Sequence, residues 1–196
     1  VLMDIPLEIS KISIIASGSS YNAGVFGKYF FESIPNVETS VEYASEVANS
    51  KFKDFSSDTL YILISQSGES IDTVLAMEKI KSSGNKVLCI TNNLNSTMYK
   101  EADYKFDIMA GREKAIAATK TFSASVMMLW ILAVKIAQNK RIDITEETKN
   151  IYSIKQNMDN SIKDIDNLDL AAKFLAKKRG FSIAGLGLYY ALSREM

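Results

Sequence analysis

Three apolar runs each stop at a hydroxyl. "KISIIAS" (residues 11–17), "TLYILIS" (59–65) and "KVLCIT" (86–91) are rich in β-branched residues and show little alternation of polar with apolar positions. Runs of this length and texture read as strands buried on both faces. Segments of helical spacing lie between them: 21–33, with Val25, Tyr29 and Phe30 on one face, then about 69–82, and a long one from Thr119 to about Asn139. "NVETSVE" (36–42) and "YKFDIM" (104–109) read as further strands, and "YASEVANS" (43–50) and "TMYKEA" (97–102) as short helices. Such alternation predicts an α/β fold, a parallel sheet with helices on both faces. Ligands in open sheets of this kind sit beyond the carboxyl ends of the strands, so the loops after strands are where function is sought.

The remainder of the chain predicts a charged amphipathic helix over 144–162 with Thr145 as N-cap, a helix over 169–180 ending at Gly180, and a last strand at "FSIAG" (181–185). The segments "IIASGSSYNAG" (14–24) and "FSIAGLGLYYALS" (181–193) share a strand, small-residue loop, helix pattern. That likeness has two readings: chance similarity of two βα turns, or the opening of a second copy of the domain, cut off at Met196. A chain that starts at Val1 and stops there is expected to be a fragment.

Charge and composition narrow the function classes. Among 196 residues, 23 basic side chains balance 23 acidic ones, which gives no electrostatic case for nucleic acid or an anionic membrane. No apolar run approaches the roughly 20 residues of a membrane span, and no signal peptide is visible. A single cysteine, Cys89, builds no disulfide framework and points to a reducing, cytoplasmic setting. Histidine is absent, which excludes Ser-His-Asp chemistry and the commonest zinc ligand within this chain.

The loop "SQSGES" (65–70) places Ser65, Gln66, Ser67 and Ser70 around Gly68 where a helix should begin, with Ser67 as its cap and Gly68 allowing close backbone approach. Helix N-termini expose unpaired N–H groups and carry partial positive charge. Three or four hydrogen bonds to a phosphate there would supply about −4 to −8 kcal/mol, millimolar to micromolar affinity. The plainer alternative is an ordinary capped helix with solvated hydroxyls. Glu69 and Asp72 would repel an anion unless they point away. "SGSSYNAG" (17–24) has the same design, with Gly18, Ser19 and Ser20 between strand and helix, and matches neither a dinucleotide fingerprint nor a Walker A loop. A third loop, "GREKAIAATKTFSAS" (111–125), carries Arg112, Lys114 and Lys120, the first two favoured as solvated surface cations, and a small apolar stretch from Ala115 to Ala118 that suits close packing on a ligand or a subunit.

Taken in order, "SGSSYNAG", "ISQSGESIDT" and "AGREKAIAATKTF" resemble the sugar isomerase (SIS) domain family, and the resemblance covers most of the chain from about residue 11 onward. It implies a three-layer α-β-α sandwich with a five-stranded parallel sheet, nucleotide-binding-like, that binds a phosphorylated hexose or hexosamine without metal or cofactor, as a homodimer. It further implies that Ser20, Ser65, Gln66, Ser67 and Ser70 hold the sugar phosphate and that Gly18, Ser19 and Ile116 lie beside the sugar. The branches resembled most aminate or deaminate hexose phosphates with isomerisation; "EKAIAATK" and "GLGLYYALSREM" lean toward deamination. A non-catalytic phosphosugar sensor is the alternative. In the family the acid-base glutamate, the ring-opening histidine and the Schiff-base lysine come from a second domain, so residues 1–165 are expected to form one SIS domain and 166–196 the start of another. Glu195 matches a non-catalytic position. The fragment is expected to bind but not to turn over.

Overall fold

The computed structural model describes residues 9–51, 54–114, 117–163 and 165–196. In chain order the elements are β1 (Lys11–Ala16), α1 (Ser19–Ser33), β2 (Glu38–Tyr43), α2 (Ala44–Asn49), β3 (Thr59–Ile64), α3 (Ile71–Ser82), β4 (Val87–Thr91), α4 (Thr97–Glu101), β5 (Tyr104–Asp107), α5 (Lys120–Asn139), α6 (Thr145–Lys163), α7 (Ile165–Leu175) and α8 (Leu188–Glu195). The five strands form one parallel sheet in the order β2-β1-β3-β4-β5. The apolar runs become the three central strands, β1, β3 and β4. The edges fall to the more polar β2 and β5, whose ladder is open on one side.

Alternate strand residues feed two cores. Ile12, Ile14, Ile62, Ile64, Leu88, Ile90 and Phe106 pack against α1 and α5, through Ala23, Phe31, Leu129, Leu132, Ala133 and Ile136. Ile15, Tyr61, Leu63, Val87 and Cys89 face α2, α3 and α4, through Ala44, Val47, Ala76, Met77, Ile80 and Met98. The result is the expected three-layer α-β-α sandwich, because strands with no polar face need cover on both sides.

Several elements differ from the sequence reading. The buried stripe of α1 is Ala23, Gly27 and Phe31, while Val25, Tyr29 and Phe30 are only half-buried. Close approach sets that choice: a Cβ on Gly27 would lie 3.0 Å from Ile14 Cδ1 and 3.1 Å from Leu129 Cδ1. α3 starts at Ile71, not Glu69. Asp143 takes the N–H of Thr145 at 3.0 Å and its hydroxyl at 2.6 Å, so Asp143, not Thr145, supplies the side chain that opens α6. α7 ends at Leu175, short of Gly180, and residues 181–185 form no strand. A strand needs a partner ladder, and that segment lies beside none. The expectation about apolar runs was too strong: α5 is long and apolar enough, by length and composition, to cross a membrane. Here it serves as a core helix, with Leu129, Leu132, Ala133, Ile136 and Ala137 buried.

Candidate functional site

The strand order reverses direction between β1 and β3: the chain leaves β1 toward β2 and later returns to build β3 on the other side. Open sheets bind ligands in the crevice at such a switch point. β1 and β3 pair in parallel with Ala16 opposite Ile64, so residues 17–20 and 65–70 emerge side by side at the same edge of the sheet. Their helices then part, α1 to one face and α3 to the other. The two hydroxyl-rich loops thus flank one opening.

At the first tip, Gly18 adopts φ +57° and caps α1 through its carbonyl, which accepts the Tyr21 N–H at 2.9 Å. No side chain caps that helix, so Ser19 and Ser20 stand in its first turn without spending their hydroxyls on it. At the second tip the loop is tied internally. Ser65 Oγ accepts the Gly68 N–H at 3.1 Å, and Ser67 Oγ accepts the Glu69 N–H at 3.2 Å. Both hydroxyls keep their own proton to donate. Ser70 is the N-cap of α3 and makes no capping bond with its side chain; Ser67 caps the loop, not the helix.

The loop after β4 holds this second tip from behind. Gln66 O accepts the Asn92 N–H at 3.1 Å and the Thr91 hydroxyl at 3.3 Å. Ser67 O accepts Asn93 Nδ2 at 3.2 Å, and Gly68 O accepts the Met98 N–H at 3.2 Å. The Glu69 carboxylate accepts the Thr97 N–H at 2.8 Å at the start of α4, and that backbone hydrogen bond holds its pKa below the usual carboxylate range. Gly68, at φ +66°, packs against this loop and not against an open cleft: a Cβ there would lie 2.2 Å from Ser96 Oγ and 2.9 Å from Thr91 Oγ1. Sequence reasoning passed over "NNLNS" (92–96) as a polar turn. The signal was present, since a strand tip so dense in asparagine and serine has more side-chain donors and acceptors than a turn requires.

The third loop crosses the same edge. Asn92 donates to Gly111 O at 2.6 Å and accepts the Ala110 N–H at 3.1 Å, which tethers the chain as it leaves β5. Glu113 then accepts the N–H of Thr119 at 3.2 Å and the hydroxyl of Thr121 at 3.0 Å, closing the loop onto the start of α5. Partial burial pushes the Glu113 pKa up, but these bonds outweigh it and the net shift is down. Phe122 meets Phe26 of α1 edge-on at 6.1 Å, so the start of α5 lies against the first half of α1. Arg112, Lys114 and Lys120 are exposed on this stretch. Ala115 and Ile116 lie outside the described residues.

Two buried groups sit near the tips. Cys89 is fully buried in β4, where burial pushes its thiol up to about 11. Thr73, in the first turn of α3, is fully buried, and its hydroxyl has no hydrogen-bond partner. At the other end of the chain α8 lies on α1: Asn22 donates to Glu195 at 2.9 Å, and Arg194 donates to the Tyr43 hydroxyl at 2.8 Å. Tyr43 stacks on Tyr21 with ring centroids 3.9 Å apart. Among the described residues no group of acidic, cysteine or histidine side chains is arranged to hold a metal ion.

Five parallel strands covered by helices on both faces, with the switch point between β1 and β3, define a doubly wound α/β domain, and the chain belongs to the SIS domain family, whose model matches residues 8–135. It is 34% identical over 197 residues to the isomerizing glutamine–fructose-6-phosphate aminotransferase of Clostridium tetani, an alignment covering 96% of this chain and 31% of that protein. Among solved structures, the C-terminal domain of glucosamine-fructose-6-phosphate aminotransferase from Francisella tularensis superposes with a TM-score of 0.90 at 32% identity, covering 96% of this chain and 54% of that one. Glucosamine-6-phosphate deaminase from Thermotoga maritima gives 0.77 at 28% identity, over 95% of this chain and 56% of that one. The chain thus spans about a third of the length of the curated relatives it matches.

Proposed function

We propose that this chain is the phosphosugar-binding part of an enzyme acting on hexose and hexosamine 6-phosphates, by amination or deamination coupled to isomerisation. The observation that carries the reading is the side-by-side emergence of residues 17–20 and 65–70 at the switch point, both rich in hydroxyls and backed by helix N-termini. Ser20, Ser65, Gln66, Ser67 and Ser70 are the proposed phosphate ligands, with Gly18, Ser19 and Ile116 beside the sugar. The hydrogen bond from the Thr97 N–H to the exposed Glu69 carboxylate supports this, because it ties that charge to the loop after β4.

In this reading the chain contributes anchoring. A fixed phosphate holds the open-chain sugar so that a carboxylate elsewhere in the whole protein moves a proton between C1 and C2. The names of the relatives support the substrate class, and the aminotransferase and deaminase likenesses support either direction of nitrogen transfer. A division near residue 165, a homodimer and a cytoplasmic setting complete the proposal. The exposed apolar side chains of α6 and α7 are what supports the second of these.

Titration calorimetry with fructose 6-phosphate and glucosamine 6-phosphate tests it. Ser67→Ala is expected to weaken binding about tenfold, the value of one hydrogen bond to a charged group. Ser70→Ala is the cleaner variant, because that hydroxyl makes no bond within the fold. Heats identical to the parent's for both variants would overturn the phosphate assignment.

A further inference from the structure

We propose that Glu69 is a positioning residue, the clamp that fixes which side of the 65–70 loop faces the crevice; this rests on the functional reading above. Three consecutive carbonyls, those of Gln66, Ser67 and Gly68, are engaged by Asn92, Thr91, Asn93 and Met98. Glu69 adds a fifth link through Thr97, at 2.8 Å the shortest of the set. A peptide unit whose carbonyl points one way directs its N–H the other. Drawing these acceptors toward the loop after β4 therefore turns the N–H groups that share their peptide units, those of Ser67, Gly68 and Glu69, away from it. The Gly68 and Glu69 N–H groups are taken up within the loop by Ser65 and Ser67, and the Ser67 N–H donates no hydrogen bond among the described residues. The same link parks a negative charge on the start of α4, where backbone N–H groups welcome it.

The clamp has a second consequence. An acidic residue inside an anion loop should repel the ligand, yet here the carboxylate works as an acceptor and only its geometry is needed. Acceptor and charge can therefore be separated by substitution. Glu69→Gln keeps an oxygen for the Thr97 N–H and deletes the charge. Glu69→Ala deletes both.

The experiment titrates inorganic phosphate and fructose 6-phosphate into the full chain and both variants, and measures amide hydrogen exchange without ligand. Glu69→Gln is expected to bind phosphate at least as tightly as the parent. Glu69→Ala is expected to bind about tenfold more weakly, with exchange at Thr97 about tenfold faster and little change in the central strands. Parent-like phosphate binding by Glu69→Ala would overturn the clamp, and so would Glu69→Gln as weak as Glu69→Ala, since the charge itself would then matter. A parent that binds neither ligand overturns the functional reading alone. In that case the exchange of Thr97 decides the clamp, and an unchanged rate in Glu69→Ala sinks it.

Discussion

Gly68 shows how one residue can be required for a reason its own loop does not reveal. Its positive φ suits glycine, and the space a Cβ would need is filled by Ser96 and Thr91. Gly68→Ala should cost about 2–4 kcal/mol in urea unfolding, from backbone strain and overpacking together. Adding Ser96→Ala should not restore it, since the Ser96 Cβ, 2.6 Å from the new methyl, stays in place and the hydroxyl that caps α4 at the Tyr99 N–H is lost. Thr73 predicts the opposite sign. Its buried hydroxyl has no partner, so Thr73→Val should leave stability unchanged or raise it by up to about 1 kcal/mol. A clear loss would reveal a partner for that oxygen. Cys89 gives a pH dependence. Burial lifts its thiol from about 8.5 in an unfolded chain to about 11. Below pH 8 both states are protonated and nothing is gained or lost. Above it only the unfolded chain ionises, so stability should fall by roughly 1.4 kcal/mol per unit until about pH 11. Thiol reagents at neutral pH should modify Cys89 only on unfolding. The hydroxyls of "SQSGES" were legible because polar residues at a strand tip stand out; the neighbour of Gly68 was not, because it belongs to a different loop.

The same divide between local and distant information appears in the elements. β1, β3 and β4 could be read directly, since unbroken β-branched runs have few other fates. The start of α3 was misplaced because the carbonyls of residues 66–68 bond to the loop after β4 before helical bonding begins. The segment 181–185 has strand-like composition and no strand beside it, and pairing is what composition cannot supply. The inner face of α1 was misread because periodicity favours large apolar residues, whereas the sheet admits the helix only where it is smallest, at Gly24 and Gly27. Leu129 of α5 fills the opposing space and is fully buried. Leu129→Ala should therefore cost about 2–5 kcal/mol in denaturant unfolding and loosen α1 against α5, seen as faster exchange in both helices.

At the scale of the molecule, the sandwich from β1 to α5 is well covered, while α6 and α7 leave Ile151, Met158, Ile162, Leu168, Leu170 and Phe174 exposed. Apolar surface of this extent is seldom left in water. Sedimentation velocity should show association that grows with concentration, and Ile162→Glu with Phe174→Glu should reduce it without lowering the melting temperature. The position of the crevice has a thermodynamic corollary. Its two lips grow from the paired central strands, and separating those strands means dismantling both cores at once. A sugar phosphate lodged there has no partly melted host to cling to. Occupancy and melting are linked: at a hundred times its dissociation constant the ligand should add about 2.7 kcal/mol to the whole sheet and shift one cooperative transition, with no separate step for the mouth of the site.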